Sequence, residues 1–346
     1  MSELRDARLA ALRLRRPGRL HTLLERLQGA RDERSRRRVR GGVAVRYRRR
    51  GVQVTEQRRR LQKTTLVSGD FEVPIVISGG GGEVLICVNG MQQTMGMWGT
   101  MVRRMVGTGY RTVLFDFPYQ GRSTGQGEGS LTLEEQVAVL DLVVRHVADA
   151  RPVALLGGSW GALVSAAYAA THPQRVSKLV LGGFQTRPTA KVQDVARRGR
   201  LLVEQGRGPE LATLFVSEFG AGIDASHRAA IEAQFRNLRP EQFRQMYDSA
   251  RLLVEQSDFE AIVDLRRIAA HTLIVNGEVD PLVDASETAA TAARFPSAVY
   301  QVEKGAGHFL HFERPSILET YVRFLTGRDA RRAPLPMPAG SWALGA

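Results

Sequence analysis

In a chain of 346 residues, the string LLGGSWGALVSAA (155–167) sets a serine between glycines, where an apolar run gives way to an alanine-rich one. The spacing Gly157-x-Ser159-x-Gly161 is what a nucleophile on a sharp strand-to-helix turn needs, because glycines remove side chains that would collide with neighbouring backbone. Alone the pattern is weak, with about 0.2 chance matches expected in a chain this long. Its surroundings strengthen it. PVALL before it reads as a buried strand and WGALVSAAYAATH after it as a helix, whose Ala162, Ser165, Ala166, Ala169 and Ala170 would let it lie close to a sheet.

A serine hydroxyl is nearly inert at neutral pH, so a nucleophile demands a base and a group that orients the base. Asp280 follows the apolar run HTLIVNG, in the string NGEVDPL, and His308 follows AVYQVE, in KGAGHFLHFERP. Singly, each has a plain structural reading: an Asp beside Pro281 forms turns, and a lone histidine sits on a surface or satisfied in a core. Together, in the order nucleophile, acid, histidine and each at a strand end, Ser159, Asp280 and His308 form a candidate catalytic set. Charge developing on a carbonyl oxygen needs donors. The backbone N–H of Trp160 is one candidate, and that of Met91, in CVNGMQQTMGMW, is the other, with Gly90 permitting the turn. The competing reading of Met91 is an ordinary strand exit. In FDFPYQGRS (115–123), Asp116 and Ser123 are expected to brace the loop rather than to react.

These residues need a scaffold, and the chain alternates accordingly. Strand-like runs occur at 73–78, 83–89, 111–117, 152–158, 177–184, 271–277 and 298–303, with helical patterns between them. One helix is announced by Thr132 and Glu135, a capping box, and by the stripe Val137, Leu140, Val144 and Val147. Alternation of this kind implies an α/β fold: a mostly parallel, doubly wound sheet covered by helices on both faces. Segments 61–184 and 269–327 are expected to form that core. Residues 185–268 interrupt the alternation with amphipathic helices and read as an inserted helical cap; 328–346, rich in proline, read as an irregular tail.

Charge is unevenly placed. Residues 1–60 carry 20 Arg and no Lys against six acidic residues, which accounts for the whole formal charge of +14. Such runs repel themselves, so 1–60 reads as a mostly disordered arm, either a solvated tail or a contact for an anionic surface; Leu20, Leu23, Leu24 and Leu27 recur at helical spacing within it. No apolar run reaches about 18 residues and no secretory signal pattern is present, so no transmembrane segment and a cytoplasmic location are expected. The one cysteine, Cys87, lies in the apolar run VLICV and reads as a small buried hydrophobe.

The segments VNGM, FDFPYQGRS, GGSWGA, LIVNGEVDPL and GAGHFLHFE resemble the α/β-hydrolase superfamily over about residues 64–327. Asn89, Trp160, Asn276-Gly277 and His308-Phe309-Leu310 are further similar to the 3-(3-hydroxyalkanoyloxy)alkanoate synthases of rhamnolipid biosynthesis. The arginine-rich arm and the bulky, polar Met91-Gln92-Gln93 depart from that pattern. No metal or organic cofactor is expected, since the sequence shows no ligand cluster and no phosphate-binding glycine loop. The resemblance implies acyl transfer through an acyl-serine, from a thioester carrier to the 3-hydroxyl of a second hydroxyacyl unit. Carboxylic ester hydrolysis is the alternative, and a binding protein that works through its arm is a third. A dehalogenase or epoxide hydrolase is disfavoured, since those need a carboxylate at position 159. Arg187, Lys191, Arg197, Arg198 and Arg200 are candidates to meet an acidic acyl carrier protein, or else form a solvated helix face.

Overall fold

Runs in which apolar side chains predominate on both faces become strands buried on both faces. In the computed structural model, which describes residues 61–68, 71–125, 130–220, 222–255 and 258–328, these are β3 (Glu83–Val88), β4 (Tyr110–Phe115), β6 (Val153–Gly158), β7 (Val176–Gly182) and β8 (His271–Gly277). The arginine-rich arm and the tail beyond Arg328 lie outside the described residues. The five strands β3, β4, β6, β7 and β8, with β1 (Gln62–Ser68), β2 (Phe71–Ser78) and β9 (Ala298–Glu303), form one sheet in the order β1-β2-β4-β3-β6-β7-β8-β9, and the two-residue β5 (Thr124–Gly125) adds beside β2.

Pairing is parallel from β4 through β9 and antiparallel where β1, β2 and β5 meet. The parallel part has one consequence for chemistry: the residues that follow β3, β6, β8 and β9 all emerge at the same rim. Neither β1 nor β5 is among the runs picked out from the sequence. QKTTLVS has few apolar residues because it is an edge strand, in which only Thr64 and Leu66 of the described side chains are half-buried.

Helices cover the sheet as the patterning demands. Those ahead of β7 are α1 (Gly99–Met105), α2 (Leu133–Ala148) and α3 (Trp160–Thr171). Thr132 Oγ1 accepts from Glu135 N at 3.2 Å and Glu135 Oε2 accepts from Thr132 N at 2.9 Å, closing the capping box of α2, whose Val137, Leu140, Val144 and Val147 are all buried. All of α3 but its last residue is buried, and its small side chains let it sit against β6 and β7. Cys87 is wholly buried in the core, and burial pushes its thiol far up.

Between β7 and β8, the described residues form four α-helices: α4 (Ala190–Glu204), α5 (Gly208–Phe219), α6 (Ala225–Arg236) and α7 (Pro240–Glu255). Their starts are set locally. Thr189 caps α4 through Val192 N, Asp224 caps α6 through Ser226 N and His227 N, and prolines open α5 and α7, where a missing N–H costs nothing. Val195, Leu211, Leu214, Phe235 and Met246 are buried on their inner faces. On the outer surface, Arg187 pairs with Asp258 and Glu287, Lys191 with Glu218, Arg197 and Arg198 with Asp194, and Arg200 with Glu204. After β8 follow α8 (Ala285–Ala292), α9 (Leu310–Glu313) and α10 (Ile317–Leu325). No helix among the described residues is long and apolar enough to cross a membrane.

Candidate active site

Ser159 follows β6 at φ 52° and ψ −121°, a backbone conformation that residues other than glycine rarely adopt. The turn is held by Ser159 N, which donates to Gly182 O of the neighbouring strand at 2.7 Å. It is tight enough to exclude side chains on either side. A Cβ at Gly157 would stand 2.4 Å from Gly161 O, and one at Gly161 would stand 2.3 Å from Val88 O. Trp160 fastens the start of α3 from the other side, its indole N–H donating to Gln136 Oε1 of α2 at 2.8 Å.

The three residues of the candidate set come together although 28 and 149 positions separate His308 from the other two. His308 Nε2 lies 2.9 Å from Ser159 Oγ and His308 Nδ1 lies 2.8 Å from Asp280 Oδ2. An ionised carboxylate only accepts, so Nδ1 carries the proton and Nε2 is left to accept from the serine hydroxyl. Asp280 has its second oxygen occupied by Leu282 N at 2.9 Å, and its side chain is fully buried. Burial opposes a charge on His308, but the Asp280 carboxylate, through its charge and its hydrogen bond, and Glu313 beyond it outweigh that opposition and raise the imidazole above its ordinary value.

Glu313 was not singled out from sequence. Its Oε2 accepts from Gly307 N at 2.7 Å and its Oε1 from Phe309 N at 3.0 Å, so one carboxylate grips the backbone on both sides of His308. Only its place on α9, five residues past the histidine, hints at this.

Met91 and Trp160 border the same cavity as Ser159 and His308, and among the described residues neither backbone N–H has a hydrogen-bond acceptor. The loop carrying Met91 rests on a buried polar network. Asn89 Nδ2 donates to Phe115 O at 2.9 Å and to Asp116 Oδ1 at 3.0 Å, while Asn89 Oδ1 accepts from Trp98 Nε1 at 3.0 Å. Asp116 also accepts from Met95 N at 2.6 Å and Arg122 N at 3.1 Å; burial raises its carboxyl, and these donors counter the rise. Ser123 Oγ donates to Glu72 O at 2.7 Å, tying the next loop to β2.

Two apolar chambers open from Ser159 and His308. One, of about 710 Å³, runs past Thr186, Pro188, Phe259 and Ile262. The other, of about 930 Å³, runs between the inserted helices past Val195, Phe215, Phe219, Phe235 and Met246. They share Met91, Val192, Leu253 and Leu282 as walls. Among the described residues no three His, Cys, Asp or Glu side chains are grouped so as to hold a metal ion.

Comparison with known proteins gives the same answer on the fold. The chain is 26% identical over 271 residues to a 2-hydroxy-6-oxononadienedioate/2-hydroxy-6-oxononatrienedioate hydrolase of Cupriavidus pinatubonensis, covering 75% of this chain and 92% of the relative. MGS-M2, an alpha/beta hydrolase enzyme from a Medee basin deep-sea metagenome library, superposes with a TM-score of 0.65 at 18% identity, over 80% of this chain and 100% of that one. A thermophilic esterase from Thermogutta terrifontis superposes with a TM-score of 0.63 at 20% identity, over 78% and 98%. At those identities the two structures speak to the fold alone. The family model for the alpha/beta hydrolase fold matches residues 83–315, two-thirds of the chain, and the chain is therefore a member of the alpha/beta hydrolase fold family.

Proposed function

We propose that this protein is a serine-dependent acyl hydrolase, acting on an ester or thioester with an apolar acyl group. The reading rests above all on the unbroken line of hydrogen bonds from Asp280 through His308 to Ser159, 2.8 Å and 2.9 Å long, at the junction of two apolar chambers. His308 Nε2 takes the serine proton as Oγ attacks the carbonyl carbon. Charge gathers on the carbonyl oxygen, where the N–H groups of Met91 and Trp160 receive it. Collapse breaks the bond to the alkoxide or thiolate, which leaves with the proton from His308. Water then repeats the sequence on the acyl-serine, with His308 again the base. Asp280 keeps the ring in the required tautomer and stabilises its charged form.

The chamber walls favour an apolar acyl group over a diacid. Oxononadienedioates, named for the Cupriavidus relative, carry two carboxylates. Here, among the described residues, the only cationic side chain other than His308 on either chamber is Arg200, which already bonds Glu204 at 3.2 Å. A carboxylate moved into such walls would lose its hydration with little in return.

Transfer of the acyl group to a 3-hydroxyl of a second hydroxyacyl unit is the other reading. The presence of two apolar chambers at one serine favours it, since both chains would then have a place. Intact mass after incubation with straight-chain and 3-hydroxyacyl thioesters tests both. An acyl adduct on the wild type, absent from Ser159→Ala, is expected; free acid as the product supports hydrolysis, and a dimeric ester supports transfer. No adduct on any ester or thioester, with turnover surviving in Ser159→Ala, would overturn the proposal.

A further inference from the structure

The loop that carries Met91 and the loop after β4 hold glutamines that neither the fold nor the serine chemistry calls for. Gln120 Nε2 donates to Gly90 O at 2.6 Å, and Gln93 N donates to the same oxygen at 3.1 Å. Gln93 Oε1 in turn accepts from Gly90 N at 3.0 Å. The carbonyl of Gly90 and the N–H of Met91 belong to one planar, trans peptide unit, so they point in opposite directions. Fixing the oxygen on Gln120 therefore fixes where the Met91 N–H aims.

Gln92 adds a second constraint. It is 2% exposed and sits at φ 52°, where a side chain other than glycine is strained. Its Nε2 donates to Tyr119 O at 3.2 Å and to Gln242 O of α7 at 3.1 Å. Gln242 Nε2 approaches Gln92 Oε1 at 3.4 Å, and Gln234 Nε2, from α6, donates to Gln92 O. The loop is thus bonded on one side to the β4 exit and on the other to two inserted helices about 150 residues away in the chain.

We infer that Gln120, Gln92 and Gln234 are positioning residues that orient the Gly90–Met91 peptide unit as half of the oxyanion hole, so that the hole is set only while the inserted helices are docked. The inference rests on the proposed serine chemistry, but it concerns a different bond. A strained glutamine, bonded through its side-chain amide and its carbonyl, holds a donor still where charge develops, which is what preorganisation requires. It also makes α6 and α7 part of the catalytic geometry, not only walls of a chamber.

The test uses Gln120→Leu, Gln92→Asn and Gln234→Leu in the full chain. Asparagine tolerates positive φ while its amide falls short of Gln242 O. On an ester that the wild type turns over, kcat is expected to fall about tenfold to a hundredfold with KM held within about twofold. A trifluoromethyl ketone with the same acyl chain becomes an oxyanion on Ser159, and its affinity should fall by the factor seen in kcat. The matching methyl ketone, which stays a ground-state mimic, should bind as before. Loss of packing alone would instead raise KM and weaken both ketones together. Unchanged kcat and ketone affinity, or a change in KM alone, would overturn the inference. Should Gln120→Leu fail to fold, the half-buried Gln234→Leu carries the same test. Turnover surviving in Ser159→Ala defeats the serine reading itself and is seen separately.

Discussion

Glu313 holds His308 without touching its ring: the carboxylate accepts from Gly307 N at 2.7 Å and Phe309 N at 3.0 Å, and so clamps the peptide groups that flank the histidine. At 8% exposure, that carboxylate is satisfied by backbone rather than by water. Glu313→Gln keeps one acceptor and turns an NH₂ toward the other N–H. The expected cost is about 1–3 kcal/mol of stability, read as a lower melting temperature. Because Glu313 also helps to raise His308, the rising limb of the pH–rate profile should move to lower pH in the same variant. A variant with the wild-type melting temperature and profile would show the clamp to be idle.

The raised imidazole has opposite consequences for stability and activity. Folded His308 holds its proton to higher pH than an unfolded histidine, which titrates near about 6.5. Its contribution to stability is therefore complete below about pH 6.5 and is lost as pH rises through the raised value. Activity runs the other way, since a base must be unprotonated, and kcat/KM should climb through that same raised value. Asp280→Asn removes the chief cause of the rise and the tautomer control. It should shift the limb to lower pH and lower kcat by about 10⁴-fold. A limb that stays in place in Asp280→Asn would assign it to another group.

The chamber between the inserted helices is open to a simple change of shape. Ala196 on α4 lines it, and Ala196→Phe would fill space beside Phe215 and Phe235. Each methylene that enters an apolar chamber is worth about 0.8 kcal/mol, roughly a fourfold change in kcat/KM. Across a series of p-nitrophenyl esters the wild type should gain with chain length, while the variant should lose that gain for long chains and keep its rate on acetate. Equal losses at every length would mean that acyl chains do not enter there.

The turn at Ser159 leaves no room for a methyl group at Gly161. At Gly161 a Cβ would lie 2.3 Å from Val88 O and 2.5 Å from Asn89 O, both backbone atoms that cannot swing aside. Gly161→Ala should cost more than about 3 kcal/mol or prevent folding, measured by denaturant titration. At Gly158 the nearest atoms would stand 3.6 Å away, on the Trp98 ring, so Gly158→Ala should be far milder. Equal effects at the two positions would contradict the account of the turn.

Much of this was legible along the chain because it is local. Apolar runs become strands wherever both faces are covered, and the capping box at Thr132 and Glu135 starts α2 where its residue types require. The glycines around Ser159, and the order of Ser159, Asp280 and His308 behind β6, β8 and β9, pointed to one rim, because strands paired in parallel send all their carboxyl ends the same way. What residue types did not carry is whatever arises between segments distant in sequence. The strand β1 carries little mark in the sequence because an edge needs few apolar residues. The Gln92 contacts, the grip of Glu313 on the histidine loop and the two chambers each depend on a side chain meeting backbone or walls brought in from elsewhere. A glutamine reads alike whether it faces solvent or a buried carbonyl, and only packing decides which.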